Sequence, residues 1–210
     1  MKTIVVLIFA SLSAFCKVSN DTIPRYTIKF NPIAAFLEVD PHLQFSGEYF
    51  LSAKRSVQAT FGFGNDKIFE SSSNEKAMMF RLEHRGFFRP FSSKKKGRGY
   101  LAQEIMYKKV LENKSAENIS NPQSPSVAYL LNVNVAAFHV KLGHEFIGLQ
   151  GFPVLDVYLG LGVRTYNNYN QNLPEGYEFT RFTMFNRQAG NGTTLSAVLG
   201  IGIGVGARKK

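Results

Sequence analysis

The clearest pattern in the chain is the alternating segment Val154-Leu-Asp-Val-Tyr-Leu-Gly-Leu-Gly-Val-Arg-Thr-Tyr166. A period of two predicts a β-strand. An aliphatic face opposite a face of glycines and charges is typical of a membrane β-barrel, in which lipid meets the apolar face and a narrow lumen meets the other. The segment is also long enough to cross a bilayer as a tilted strand, which takes roughly 9–11 residues. The aliphatic residues are Leu155, Val157, Leu159, Leu161 and Val163, and the opposite ones are Asp156, Tyr158, Gly160, Gly162 and Arg164.

The composition is compatible with this interpretation and excludes another class of membrane protein. The chain has 210 residues, which indicates a single domain, and a formal net charge of +10. Outside the amino terminus it contains no apolar run long enough for a transmembrane helix, which needs roughly 18 residues or more. The strands of a membrane β-barrel are only half apolar, so the absence of a long apolar run does not argue against them.

The first residues predict a secretory signal peptide over 1–16, followed by a barrel domain over 22–210. Lys2 supplies the positive start, an apolar core follows, and small residues occupy 10–14. Cys16 either leaves with the signal or is lipidated, and the bulky Phe15 before it disfavours lipidation. Without Cys16 the chain has no cysteine, so we expect neither disulfides nor a thiolate metal site.

Period-two alternation predicts eight strands, and their connections differ systematically in length. Those after the second, fourth and sixth strands are short, those after the third, fifth and seventh are long, and only the first, 37–41, breaks the rule. Such sorting is typical of an outer-membrane barrel with the short turns in the periplasm. We therefore predict an all-β, eight-stranded, antiparallel up-and-down transmembrane barrel. The predicted strands cover 25–36, 42–51, 56–64, 77–90, 100–110, 129–146, 154–166 and 195–207.

Three segments resemble a family of small bacterial outer-membrane β-barrels of unknown function within the OmpA-type clan. The resemblance covers essentially the whole mature chain and implies an eight-stranded barrel in the outer membrane, with no established activity. The chain departs from many such barrels at its end, Ala207-Arg-Lys-Lys210, which lacks a terminal aromatic residue. The segments are Ile28-Lys-Phe-Asn-Pro-Ile33, Arg81-Leu-Glu-His-Arg85 and Val157-Tyr-Leu-Gly-Leu-Gly-Val-Arg164.

Charged residues on the glycine-containing faces predict a network inside the lumen. An eight-stranded barrel is only wide enough for side chains, so charges there must be paired. The favoured interpretation is a structural salt-bridge network, and the alternative is a gated pore or a small-ligand site. The predicted members are Glu48, Arg81, Glu83, Arg85, Asp156 and Arg164.

No residue pattern predicts a catalytic, cofactor or metal site. His139 and His144 are separated by an odd number of positions, so they belong to opposite faces of a strand. The basic run Lys94-Lys-Lys-Gly-Arg98 is interpreted as a solvated turn, since it lacks the surrounding basic and aromatic face of a nucleic-acid site.

We therefore expect a non-enzymatic outer-membrane protein with a structural, adhesion or ligand-capture role carried by its long surface loops. Its expected partners are outer-membrane lipid, the barrel-assembly machinery and an extracellular ligand, without nucleic acid. Two alternatives stay open. One is an outer-membrane enzyme that modifies lipid. The other is a soluble, lipocalin-like carrier of an apolar ligand, in which the apolar faces would point inward and Arg81, Glu83 and Arg85 outward.

Overall fold

The computed structural model describes residues 25–32, 43–65, 75–90, 97–118, 126–148, 153–171, 177–179 and 191–207. The predicted signal peptide, the connection 37–41 and the basic residues 94–96 lie outside these ranges. Within them, no helix has the length and apolar character needed to span a membrane.

All regular structure in the described residues is β-strand. The bounds are β1 Tyr26–Asn31, β2 Leu43–Ser52, β3 Arg55–Asn65, β4 Glu75–Phe87, β5 Gly97–Asn118, β6 Val127–Ile147, β7 Val154–Gln171, β8 Tyr177–Phe179 and β9 Asn191–Ala207.

Eight of these strands close into a ring. Their order is β4-β3-β2-β1-β9-β7-β6-β5, and pairing between β4 and β5 completes the circle. All pairings are antiparallel, and the ring is closed between the first and last strands by pairs from Tyr26↔Ala207 to Phe30↔Ile203. The short strand β8 lies outside the ring and pairs with the end of β5. The prediction of an eight-stranded, antiparallel, up-and-down barrel is confirmed.

The register of the ring determines its width. A row of directly paired residues that starts at Ser196 on β9 returns to the same strand at Gly206, ten residues further along. That stagger over eight strands corresponds to a strand tilt of about 40°. A barrel with this strand number and stagger has an interior about wide enough for side chains. The complete row is Ser196, Gly162, His139, Glu104, Glu83, Gln58, Glu48, Thr27 and Gly206.

The two faces of the sheet have opposite chemistry. Outward positions carry large apolar side chains, for example Leu159 at 58% exposure and Leu142 at 60%, whereas inward positions are mostly polar and buried. The exposed polar pair His84 and Gln103, which face each other across β4 and β5, interrupts the apolar exterior. The predicted outward row on β7, from Leu155 to Val163, is confirmed.

Several predicted strand ends are wrong. Strand β5 continues to Asn118, and residues 112–118 were expected in a loop. Strand β7 continues to Gln171, and β9 begins at Asn191, so the predicted loop 167–192 loses residues at both ends and contains β8. Strand β4 ends at Phe87 rather than at Pro90. In β5, β7 and β9, backbone pairing overrides the polar, loop-like composition of the added residues, since strand propensity depends strongly on context. Strand β4 instead ends with its last pair, Phe87↔Tyr100.

The parts of β5, β6 and β7 that continue past the ends of β4 and β9, together with β8, form a wall on one side of the barrel. This wall lies at the end with the long connections. Strand β5 pairs with β4 only as far as Glu112↔Glu75, but it pairs with β6 as far as Ala116↔Val127. Strand β7 follows β6 up to Leu130↔Gln171. Beyond the end of β4, β8 covers the free edge of β5 and satisfies backbone groups that an exposed edge would leave unpaired.

Candidate functional site: the charged lumen

The predicted charged residues all lie on inward faces. Arg85 is fully buried, as are Glu48, Glu83 and Asp156 to within 2% exposure, and Arg81 is 6% exposed. Arg164 lies nearer the end with the long connections and is half-buried. Arg81, Glu83 and Arg85 therefore point into the barrel, whereas in a soluble, lipocalin-like carrier they would point outward.

Lys29 of β1 is the centre of the charge network. Its Nζ donates to Glu48 Oε2 at 2.7 Å, to Glu145 Oε1 at 2.8 Å and to Asp156 Oδ2 at 3.0 Å. Arg85 Nη1 also donates to Asp156 Oδ2, at 2.7 Å. One ammonium group thus contacts carboxylates from three other strands, which ties β1 to β2, β6 and β7 across the lumen.

A second group of charges lies around Lys141 of β6. Its Nζ donates to Glu83 Oε2 at 2.8 Å and also contacts Glu104 Oε2. Glu83 in turn contacts Arg85, which joins the two groups into one network. Near the end with the short turns, Arg98 Nη2 donates to Glu145 Oε2 at 2.7 Å.

The network is electrically balanced. Among the described lumen residues that form it, five cations face five carboxylates, and every carboxylate contacts at least one cation. Burying charges is costly unless they are paired and hydrogen-bonded, and this arrangement meets that condition. The cations are Lys29, Arg81, Arg85, Arg98 and Lys141, and the carboxylates are Glu48, Glu83, Glu104, Glu145 and Asp156.

Aromatic side chains fill the space between the charges. Tyr100 Oη donates to Asp156 Oδ1 at 2.8 Å, and the Arg85 guanidinium lies 4.4 Å from the centre of the Tyr100 ring. Lys141 Nζ lies 4.3 Å from the centre of the Tyr158 ring. Charges and rings together fill the lower lumen, toward the short turns, with contacting side chains.

Sequence reasoning missed five members of the network, namely Lys29, Arg98, Glu104, Lys141 and Glu145. Their signal was present, because each belongs to the inward face of its strand by period-two alternation. Arg98 had been assigned to a solvated turn, and that prediction is wrong. Strand β5 begins at Gly97, so Arg98 points inward, where it is 2% exposed.

His139 occupies a different position from His144, as predicted. His144 lies on the outward face, with its ring 4.4 Å from that of Phe146. His139 is 2% exposed inside the lumen. Its Nδ1 lies 3.0 Å from Glu104 Oε1, and its Nε2 lies 2.9 Å from Ser196 Oγ. These three residues form a continuous hydrogen-bonded chain from β5 through β6 to β9.

Gly162 makes that chain possible. It lies on β7, directly between its partners His139 on β6 and Ser196 on β9. The His139 ring must pass over β7 to reach β9. A Cβ on Gly162 would clash with the carbonyl oxygen of Phe138 and with Cα and Cδ2 of His139. The glycine thus leaves room for the large polar side chain of His139.

Apolar side chains lie further toward the long connections. Ala77, Val110 and Val133 form a buried cluster, against which Leu131 and Val135 pack. The three β6 members share the inward face with His139, at even separations from it. The Ser196–His139–Glu104 chain thus lies between the Lys29 group of charges and this apolar cluster, and the inward charges Glu112 and Arg164 lie on the same side of the chain as the cluster.

No metal centre is formed by the residues that the structure describes, since no three His, Cys, Asp or Glu side chains are arranged to hold an ion. Comparisons with protein-family models, with curated proteins and with solved structures gave no match to this chain. The resemblance to small outer-membrane barrels therefore stays a prediction.

Proposed function

We propose that the chain is an outer-membrane barrel with a closed lumen, which displays an extended wall of strands for binding an extracellular ligand. The observation that carries the membrane assignment is the inverted distribution of polarity. The described inward positions hold ten paired charges, whereas the outward positions hold exposed residues such as Phe61, Leu159 and Leu199. In water that exterior would be a large aggregation-prone surface, and in lipid it is the stable arrangement.

Aromatic residues near the short turns also support the membrane assignment. Tyr26 and Tyr49 are exposed at this rim, and Arg25 Nη2 donates to Tyr49 Oη at 3.0 Å. Tyrosines with a neighbouring arginine are well suited to a headgroup layer, where one end of the ring is apolar and the other is hydrated.

The balanced network supports a barrel that does not conduct ions. A permeating ion would have to displace buried pairs such as Lys29–Glu145, and each broken pair would leave an uncompensated charge. Reconstitution into planar bilayers should therefore give no discrete conductance steps. Regular steps from a homogeneous preparation would contradict the closed lumen.

The first test of the membrane assignment is fractionation of the expressed full chain, with electrophoresis before and after boiling. We expect recovery with outer membranes and a band whose mobility changes on heating, because a closed barrel resists detergent until it is heated. Recovery in a soluble fraction without detergent would contradict the proposal.

The wall is the proposed binding surface. Its residues are rich in asparagine and tyrosine, with Asn132 Nδ2 donating to Tyr169 Oη at 2.6 Å. In the adjoining part of the ring, Tyr107 Oη donates to Asn134 Oδ1 at 3.0 Å. Tyrosine provides a rigid ring, and asparagine provides both donors and acceptors. This combination suits an uncharged polar ligand such as an oligosaccharide.

The part of the wall that β7 and β8 contribute can be removed without cutting into the paired residues of β7 and β9. Asn167 and Asn191 are direct cross-strand partners, so replacing 168–190 with Asn-Gly should join them through a two-residue turn. In a matched control, Asn-Gly replaces 66–75 and joins the partners Asn65 and Lys76. Both variants should fold with a heat-dependent mobility change. On an array of oligosaccharides only the first should lose binding, and an intact protein that binds no glycan would refute the ligand class.

A further inference from the structure

Beyond this proposed function, the geometry points to a catalytic site: we propose that Ser196, His139 and Glu104 form a hydrolytic triad that cleaves carboxylic esters with an apolar acyl chain. This departs from the sequence-based expectation of a non-enzymatic barrel. The reason is a contact that no linear motif reveals, since Glu104, His139 and Ser196 come from three different strands and become neighbours only through the ring register.

The distances match the roles that such a triad requires. A nucleophile must lie within hydrogen-bond reach of a base, and a third group must orient the base. Ser196 Oγ is 2.9 Å from His139 Nε2, and Glu104 Oε1 is 3.0 Å from His139 Nδ1. With its proton on Nδ1, the ring donates to Glu104 and leaves Nε2 as the acceptor of the Ser196 hydroxyl proton.

The three residues of the proposed triad differ in how deeply they are buried. His139 and Glu104 are buried at 2% and 1% exposure, so their geometry is held by packing. Ser196 is only half-buried, and we place the approach of the substrate on its side, toward the end with the long connections. Lys141 and Arg81 contact Glu104 and keep it fixed beneath the histidine.

Arg164 is placed to stabilise developing negative charge. It lies on the inward face of β7, opposite Thr194 and therefore diagonal to Ser196. Its buried Nε has no hydrogen-bond partner among the described residues. A preorganised cation beside the nucleophile lowers the energy of an oxyanion more than a solvated cation would.

The position of the triad indicates the substrate class. The apolar cluster of Ala77, Val110 and Val133 lies toward the long connections from the triad, and Val135 lies four residues from His139 on the same face of β6. An ester of this class has an apolar acyl chain on one side of the reacting carbonyl. We assign the acyl chain to the apolar cluster.

The reaction proceeds in two balanced steps. Ser196 Oγ forms a bond to the carbonyl carbon while its proton passes to His139 Nε2. The bond to the alcohol oxygen then breaks, and the departing alcohol takes that proton. In the second step a water oxygen forms a bond to the acyl carbon while His139 Nε2 accepts the water's proton, and the bond between the acyl carbon and Ser196 Oγ then breaks as His139 gives that proton to Ser196 Oγ. The products are one alcohol and one carboxylic acid, and no oxidant or reductant is needed.

The test uses the full chain, folded in detergent micelles, and an alkyl fluorophosphonate, which reacts covalently with activated serines. We expect one adduct per chain, which peptide mass spectrometry places on Ser196, and none on Ser196→Ala. The matched control is Ser46→Ala, which removes another inward serine that is hydrogen-bonded to Thr60 at 2.8 Å, and the control should label like the wild type. A folded wild-type barrel that stays unlabelled, or labelling that survives Ser196→Ala, would overturn the proposal.

Two further variants separate catalysis from support of the fold. His139→Gln keeps a hydrogen-bonding side chain but no base, and we expect the labelling rate to fall by about 10²-fold or more. Glu104→Gln should slow labelling and Glu104→Asp should restore part of it, in barrels that keep their heat-dependent mobility. Equal labelling rates in all folded variants would show that the three residues have only a structural role.

Substrate preference provides the last measurement. Nitrophenyl esters should be hydrolysed faster with an octanoyl than with an acetyl group, and Val133→Asp should reduce the ratio of the octanoyl rate to the acetyl rate. A preference for acetyl, or no hydrolysis of either ester by an unlabelled preparation that reacts with the fluorophosphonate, would refute the assigned substrate class.

Discussion

Lys29 Nζ on β1 lies 2.8 Å from Glu145 Oε1 on β6, although 116 positions separate the two residues along the chain. Strands β9 and β7 lie between their own strands in the ring. The contact therefore spans the lumen, and it exists only when the sheet is closed. Because Lys29 also contacts Glu48 and Asp156, its ammonium group compensates carboxylates on three strands.

Replacing Lys29 with Met should strongly destabilise the barrel. The substitution keeps an unbranched side chain that is one atom shorter, but leaves Glu48, Glu145 and Asp156 with one cation fewer. Removing one partner of a buried charge pair costs about 3–5 kcal/mol. Urea unfolding in micelles measures the change, and Lys54→Met in the exposed turn after β2 is the control, expected within about 0.5 kcal/mol of the wild type. Similar values for the two variants would contradict the central role of Lys29.

Arg98 and Glu145 should be energetically coupled. Arg98 donates to Glu145 Oε2 through both Nε, at 3.1 Å, and Nη2, at 2.7 Å, so the pair is bidentate on the arginine side. In a double-mutant cycle of Arg98→Met and Glu145→Gln, we expect the double variant to be less destabilised than the sum of the single variants, by about 1–3 kcal/mol. Additive effects would show that each residue is stabilised mainly by its other neighbours.

Gly162→Ala should both destabilise the barrel and disturb His139. The added methyl would meet backbone atoms of Phe138 and His139, which cannot rotate away, so we expect a loss of about 1–3 kcal/mol. The control is Gly47→Ala on the outward face, where a Cβ would meet nothing within 4 Å. That variant should be neutral or slightly more stable, because alanine restricts the unfolded chain. Fluorophosphonate labelling of Ser196 should slow only in Gly162→Ala.

Leu159→Arg tests which medium surrounds the exterior. Leu159 lies in the middle of the outward row of β7, and arginine near the centre of a bilayer costs about 2–4 kcal/mol. The matched variant is Leu51→Arg beside the turn between β2 and β3, where the cost near the membrane interface is about 0–1 kcal/mol. Folding yields into lipid vesicles should separate the two variants. Equal yields would indicate that water, not lipid, contacts this face.

The sequence by itself determined the secondary structure and the orientation of most strands. Alternation at Leu43–Ser52 and Val154–Tyr166 is so regular that only one face of each strand can be apolar, and the apolar faces are the exposed ones in the structure. The same alternation assigned Glu48, Arg85 and Asp156 to the inward face. The ends of the strands were harder to predict from the sequence. The asparagine-rich segments beyond Val110 and Tyr166 have the composition of loops and become strands only through pairing with neighbouring strands.

Only the tertiary structure decided which inward residues meet. Alternation assigns a face but not a partner, and closure of the ring with a stagger of ten residues brings Lys29 to Glu145 and His139 to Ser196. Both contacts pass over intervening strands, so no spacing along the chain could predict them. Gly162 has no side chain, and His139 can reach Ser196 only because that space is empty. Local periodicity thus sets what faces inward, and the register of the closed sheet sets what those residues can do.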